Sequence, residues 1–135
     1  EKPELETAFA SYGRHLGAAF QLIDDALDYM ADADELGKNL GDDLAEGKPT
    51  LPLIYVLENG TDSEKTLIRK AIETDGIKLL DEVTAIIQTS GAIQYTQEIA
   101  TQEAEKAKAA LTPLDDSEIK QALLSLADLA VQRNH

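Results

Sequence analysis

Apolar residues recur every three or four positions along almost the whole of this chain, a spacing that gathers them on one side of an α-helix and leaves little room for any other regular structure. The first run is Leu5, Phe9, Tyr12, Leu16, Ala19, Ile23, Leu27 and Met30, one face of a long helix. A second helix opens at Thr61-Asp62-Ser63-Glu64, where Thr61 caps and Glu64 reaches back as in a capping box, Gly60 having ended the element before it. Its inner face is Leu67, Ile68 and Ile72, and Gly76 stops it. Leu79, Leu80, Val83, Ile86 and Ile87 repeat the pattern until Gly91. A further helix runs from about Ala92 to Leu111, where Pro113 forbids its continuation. The last begins at Asp115 or Asp116, with Glu118 at the box position, and carries Leu123, Leu124, Ala127 and Val131. Thr50 to Leu57 is apolar enough for a buried strand, but no other stretch offers it a partner, so it reads as helix with Pro52 in the first turn. The expected fold class is all-α, a helical bundle, with residues 1–135 as a single helical segment.

Twelve Lys and Arg against 26 Asp and Glu leave a formal charge of −14. Nucleic-acid binding is therefore excluded, because phosphate neutralisation needs a basic face. The chain has no Cys, which removes disulfides, thiolate metal sites and cysteine nucleophiles together and fits a reducing cytoplasm. No apolar run approaches the roughly 20 residues of a membrane span. Glu1-Lys2-Pro3-Glu4 does not look like a signal peptide. The single methionine is Met30 and the first residue is Glu1, so the sequence reads either as a processed protein or as a piece of a longer chain.

The segment richest in chemistry is Gly17 to Tyr29. Asp24 and Asp28 are four residues apart and share one helix face; Asp25 lies about 100° round the axis but adjacent, and Gln21 and Gly17 continue the stripe backwards. Three acids in a row could be no more than a solvated face. Two features argue otherwise. Between Leu16 and Met30 there is no Lys, Arg, Glu, Ser or Thr, so apart from the aspartates the helix is apolar almost all round, as buried helices are. Nor does any intrahelical cation stand three or four residues from them. In a partly buried wall, two carboxylates about 6 Å apart repel by roughly 3 kcal/mol at an effective dielectric of 20, which calls for an external cation. Oxygen ligands with neither His nor Cys in reach select a hard ion, and open carboxylate sites that keep several waters are typical of Mg²⁺ bridging to phosphate. A calcium loop starting at Asp32 fails: Gly37 falls at position six, but Leu36 occupies position five and Asp43 stands where a glutamate is needed.

Residues 32–48 form the one long non-periodic stretch, and such stretches in compact domains are functional or disordered. Lys38 follows Gly37, and Lys48 follows Gly47 and precedes Pro49-Thr50. Lysines beside magnesium-binding aspartates suggest a clamp for polyphosphate, metal on one side and ammonium on the other. They could equally offset Asp42, Asp43 and Glu46 in solvent.

Taken together, Gly-x-x-Phe-Gln-x-x-Asp-Asp-x-x-Asp (Gly17 to Asp28), Gly-Lys-x-x-Gly-x-Asp (Gly37 to Asp43) and Gly-Lys-x-Thr-x-Pro (Gly47 to Pro52) resemble the second aspartate-rich region of the trans-isoprenyl diphosphate synthases. The wording from Gly37 to Leu53 and the ending Ala-Val-Gln-Arg look most like bacterial long-chain members, those forming octaprenyl chains in particular. The resemblance implies an isoprenoid-synthase-type fold. It also implies head-to-tail elongation, in which a farnesyl-type allylic diphosphate ionises, isopentenyl diphosphate attacks the carbocation and a proton leaves. The product would supply a quinone side chain. Carried over, Asp24 is the principal Mg²⁺ ligand, with Asp25 and Asp28 binding directly or through water. Lys38 and Lys48 hold the allylic diphosphate, and Phe20 and Gln21 line the floor near the reacting carbons. Phe20 also has an ordinary core-packing reading, and Arg133 either reaches a diphosphate or lies in a solvated tail. The family resemblance further implies a cytoplasmic homodimer.

The departure from the family is as informative. A first aspartate-rich motif, an arginine pair and an isopentenyl-binding basic cluster should precede the segment seen here, and Asp115-Asp116 does not substitute for them. The sequence thus reads as the C-terminal half of a synthase, expected not to catalyse elongation by itself. The alternatives are a non-catalytic acidic helical subunit that retains affinity for metal and diphosphate, or a purely structural bundle.

Overall fold

The computed structural model describes residues 2–30, 44, 47–74 and 76–132, the side chains of Lys2 and Ile77 excepted. Among them every regular element is helical: α1 (Lys2–Leu27), α2 (Leu51–Asn59), α3 (Asp62–Glu73), a 3₁₀ turn (Gly76–Leu79), α4 (Leu80–Thr89), α5 (Ala92–Ala110) and α6 (Glu118–Ala130). The all-α expectation holds, and Thr50 to Leu57 is indeed helical, with Pro in the first turn of α2. The contacts divide the chain into two compact units, one of the residues up to Ile23 with those from Gln97 onward, the other Asp24–Thr96.

In the first unit, Tyr12 and Leu16 of α1 pack with Ala107 and Leu111 and with Ala127 and Ala130 of α6. Small residues at 107, 127 and 130 allow close helix approach, and the bulk comes from Phe20, Leu114, Leu123 and Leu124 at the margin. Two polar ties cross this core. The Tyr12 hydroxyl donates to the Leu123 carbonyl at 2.7 Å, and the His15 Nδ1 lies 2.8 Å from Glu103 Oε1. Leu5 and Phe9, the first members of the apolar stripe of α1, are not core residues. They line an open groove with Pro113, Leu114 and Ile119.

In the second unit α2, α3 and α4 pack on one another around Leu53, Val56, Ile68, Val83 and Ile87, all buried, joined by Ala26, Tyr29 and Leu44. Each such side chain contributes about 1.5–3 kcal/mol by leaving water. Thr61 and Glu64 form the expected capping box: the Thr61 side chain accepts from the Glu64 N–H, and Glu64 Oε1 accepts from the Thr61 N–H at 2.9 Å. Gly91 ends α4 as expected, and φ of +91° there explains why it is glycine.

Three boundaries differ from the sequence reading. α1 closes at Leu27 rather than Met30, because the Tyr29 and Met30 amides turn to the carbonyls three residues back, at 3.1 and 3.2 Å. α3 ends at Glu73, and Gly76 opens the 3₁₀ turn instead of stopping the helix. α6 is capped by Ser117, whose hydroxyl accepts the Lys120 N–H at 3.1 Å; Glu118 is its first residue, and Asp116 instead accepts from the Gln121 amide at 2.8 Å. Ser outcompetes the aspartates because it alone stands three residues before the free amide.

Candidate functional site

The aspartates occupy the C-terminal end of α1. Asp28 lies just past the helix, yet its N–H still donates to the Asp24 carbonyl at 3.1 Å, so the one-turn spacing expected of the two residues is kept. Asp24 is half-buried, and Asp25 and Asp28 are only 6% and 4% exposed, among the buried Ile23, Ala26, Leu27 and Tyr29. The solvated-face reading is thereby set aside for Asp25 and Asp28. Carboxylates at a helix C-terminus face the negative end of the helix dipole, an unfavourable placement of about 0.3–1 kcal/mol each, and α1 has no basic residue in its last turn. Compensating positive charge must therefore come from outside this helix.

The donor set suits a hard cation. Among the described residues no three His, Asp or Glu side chains are gathered closely enough to hold a metal alone. The three aspartates are thus not a closed cage, as follows from Asp25 lying about 100° round the axis. Mg²⁺ needs no cage, since it is commonly held by one or two carboxylates, with phosphate oxygens and water filling an octahedron. Carboxylate oxygens from one or two of these aspartates fit that requirement.

Lys48 is exposed, in a short stretch fixed at both ends. Before it, Gly47 adopts φ +74° and donates its N–H to the Leu44 carbonyl at 2.9 Å. After it, the Thr50 N–H returns to the Lys48 carbonyl at 3.0 Å, and Thr50 stands at the N-cap position of α2. The Thr50 hydroxyl oxygen is buried and has no hydrogen-bond partner among the described residues. Sequence reasoning quoted Thr50 within its motif but gave it no role, although a threonine ahead of a helix carrying Pro52 signals a cap that here is not used. Gln88 was missed altogether: its side-chain amide donates to the Tyr29 carbonyl at 2.8 Å, tying α4 to the residue after Asp28. Fifty-nine residues separate the two, and no local pattern marks the pair.

The remaining sequence candidates divide. Phe20 packs against the first unit's core, which is its ordinary packing reading, and Gln21 is exposed. Lys38 and Arg133 lie outside the described residues.

Comparison with known proteins gives this geometry a context. Residues 1–89 match the family model described as polyprenyl synthetase. The octaprenyl diphosphate synthase of Escherichia coli K12 is 50% identical over 133 residues, 98% of this chain and 41% of the relative. The all-trans-nonaprenyl-diphosphate synthase (geranyl-diphosphate specific) of Rhodobacter capsulatus is 50% identical over 132 residues, again 98% of this chain and 41% of the relative. Among solved structures, a polyprenyl synthase from Caulobacter crescentus CB15 complexed with calcium and isoprenyl diphosphate superposes with a TM-score of 0.84 at 41% identity, covering 95% of this chain and 40% of that one. The chain therefore spans about 41% of the length of these relatives. With the family model matched across both α1 and the Lys48 segment, and with an all-helical fold shared with a solved member, the chain belongs to the polyprenyl synthetase family.

Proposed function

We propose that this chain is the C-terminal portion of a chain-elongating polyprenyl diphosphate synthase, which condenses isopentenyl diphosphate with a farnesyl-type allylic diphosphate. The observation that carries the reading is the placing of half-buried Asp24 and buried Asp25 and Asp28 at and just past the C-terminal end of α1, hard-oxygen donors against the helix dipole. It is supported by the calcium and isoprenyl diphosphate bound to the Caulobacter neighbour. Asp24 would be the first magnesium ligand, with Asp25 and Asp28 binding directly or through water. Bound there, Mg²⁺ would supply Lewis-acid stabilisation of a departing diphosphate. Lys48, and Lys38 from outside the described residues, would hold the allylic diphosphate by charge-assisted hydrogen bonds and orient it for ionisation. Phe20 and Gln21 would border the floor of the cavity.

The same reading makes the parent protein a cytoplasmic homodimer that supplies a quinone side chain, with an octaprenyl product. Among the described residues no helix is long and apolar enough to cross a membrane. Elongation needs a second aspartate-rich motif, and the sequence contains no other Asp-Asp-x-x-Asp, so the chain alone does not turn over.

Thermal unfolding of the chain with MgCl₂ and inorganic pyrophosphate, separately and together, tests the site. A ligand at 100 times its dissociation constant stabilises by about 2.7 kcal/mol. The combination should raise the midpoint in the wild-type chain and not in Asp24→Asn; an equal rise in both, or none in either, overturns the proposal. Turnover of farnesyl diphosphate and isopentenyl diphosphate by this polypeptide alone would overturn the assignment as an incomplete enzyme.

A further inference from the structure

We infer that Gly76, far from the aspartates in sequence, is a positioning residue for the Lys48 segment, acting through the carbonyl of Leu44. The inference rests on the diphosphate-binding role proposed for Lys48. A Cβ built on Gly76 would lie 2.6 Å from the Leu44 carbonyl oxygen, 2.7 Å from Leu44 Cγ and 3.1 Å from its carbonyl carbon. φ at Gly76 is not in the left-handed region, so the requirement for glycine there is one of space. Leu44 is 1% exposed and belongs to the same buried cluster as Ile68, Ala71 and Val83.

The atom that a Cβ at Gly76 would strike is the one that fixes the lysine segment. Leu44 O accepts the Gly47 N–H at 2.9 Å, and Gly47 immediately precedes Lys48. Gly47 is restricted by its backbone rather than by space, since φ is +74° while a Cβ on it would meet the Ile72 carbonyl at an ordinary 3.4 Å. Lys48 then passes its carbonyl to the Thr50 N–H at 3.0 Å, at the entrance to α2. The corner between α3 and α4 thus provides the wall against which the turn carrying Lys48 is set. Backbone oxygen is not a flexible neighbour, so a methyl group at 76 displaces the turn itself rather than a side-chain tip.

Gly60 supplies the control. It is equally tight, with a Cβ 2.7 Å from the Val56 carbonyl, but it ends α2 at the opposite end from Lys48. The experiment compares wild type, Gly76→Ala, Gly47→Ala and Gly60→Ala by two measurements: amide hydrogen exchange of Gly47, Lys48 and Thr50 without ligand, and calorimetric titration with magnesium pyrophosphate. The expected result is faster exchange in Gly76→Ala and Gly47→Ala but not Gly60→Ala, and about a tenfold loss of pyrophosphate affinity in the same two variants, as for a misplaced binding group. Unchanged exchange in Gly76→Ala, or equal acceleration in Gly60→Ala, overturns the positioning role. If Gly76→Ala does not fold in buffer, it is compared with wild type in a stabilising osmolyte by the same criteria. Wild-type protein that binds no magnesium pyrophosphate overturns the proposed function and the affinity half of this inference, while exchange still decides whether Gly76 sets the turn.

Discussion

The backbone N–H of Asp28 donates to the carbonyl of Asp24 at 3.1 Å, one residue beyond the end of α1, so the last aspartate keeps its place on the helical stripe although the helix has formally stopped. Immediately after it the ladder tightens, and Tyr29 turns into the core. Asp28 thus sits at a junction where the backbone is still helical behind it and already turning ahead of it.

Replacing Asp24 or Asp28 by Asn removes a carboxylate without changing size, and each is expected to weaken magnesium pyrophosphate binding on the order of 10–100-fold, the range seen for groups that support a metal site. Asp116→Asn, at the entrance to α6, should leave that affinity unchanged. Calorimetric titration of the three variants checks this.

Tyr12 anchors the first unit. Tyr12→Phe deletes the 2.7 Å hydrogen bond to the Leu123 carbonyl and should cost about 1–2 kcal/mol in urea unfolding. Burial pushes the Tyr12 phenol above its usual 10.0. Above pH 10 the unfolded chain releases this proton before the folded one does, so stability falls as pH rises through that region. Tyr12→Phe should reduce the slope there.

Acid acts on the same unit through Glu103. The hydrogen bond from His15 and then that from Lys106, at 3.0 Å, hold its carboxyl below the usual 4.5. Its contribution is present above about pH 4.5 and is lost as pH falls through the lower folded value, because the unfolded chain takes up the proton first. Glu103→Gln should flatten the stability profile below about pH 4.5, as urea midpoints at a series of pH values would show.

Glycines in this chain respond to alanine in opposite directions. Gly13 and Gly17 are exposed within α1, and a Cβ on either meets nothing within 4 Å among the described residues. Alanine at each should stabilise by about 0.5–1 kcal/mol through helix propensity and a less free unfolded chain. Gly91→Ala should destabilise by about 1–2 kcal/mol, since φ of +91° strains any L side chain. Differential scanning calorimetry of the three variants gives the signs directly.

Local chemistry made much of this legible in the sequence. The capping box at Thr61, the left-handed stop at Gly91, the proline at the start of α2 and the stripe joining Asp24 to Asp28 are each decided within four or five residues. What escaped was decided by distant partners. Gly76 looks like a helix stop until Leu44, 32 positions earlier, is found against it. Leu5 and Phe9 follow the core period of α1, and only the course of the chain past Pro113 leaves them in an open groove. Ser117 was passed over for two aspartates that are equally good caps on composition but stand one or two residues too early. For the candidate site, residue type and spacing single out the carboxylates as candidates, whereas the placement of Gly47 ahead of Lys48 depends on Leu44 and on Gly76, residues no local pattern connects.

The tyrosines have a practical consequence for following this molecule in solution. The chain has no tryptophan, four tyrosines and two phenylalanines, so at the long-wavelength edge of the near ultraviolet, beyond the phenylalanine bands, its signal is tyrosine alone. Tyr12 is the one tyrosine of the first unit; Tyr29 and the ring pair Tyr55–Tyr95, with centroids 4.9 Å apart and planes tilted by 35°, belong to the second. Beyond the phenylalanine bands a Tyr12→Phe chain is therefore silent in one unit and fully reporting in the other, and its difference spectrum against wild type there isolates a single chromophore. Whether the two units melt together or in sequence can be read from that pair of spectra without attaching a label.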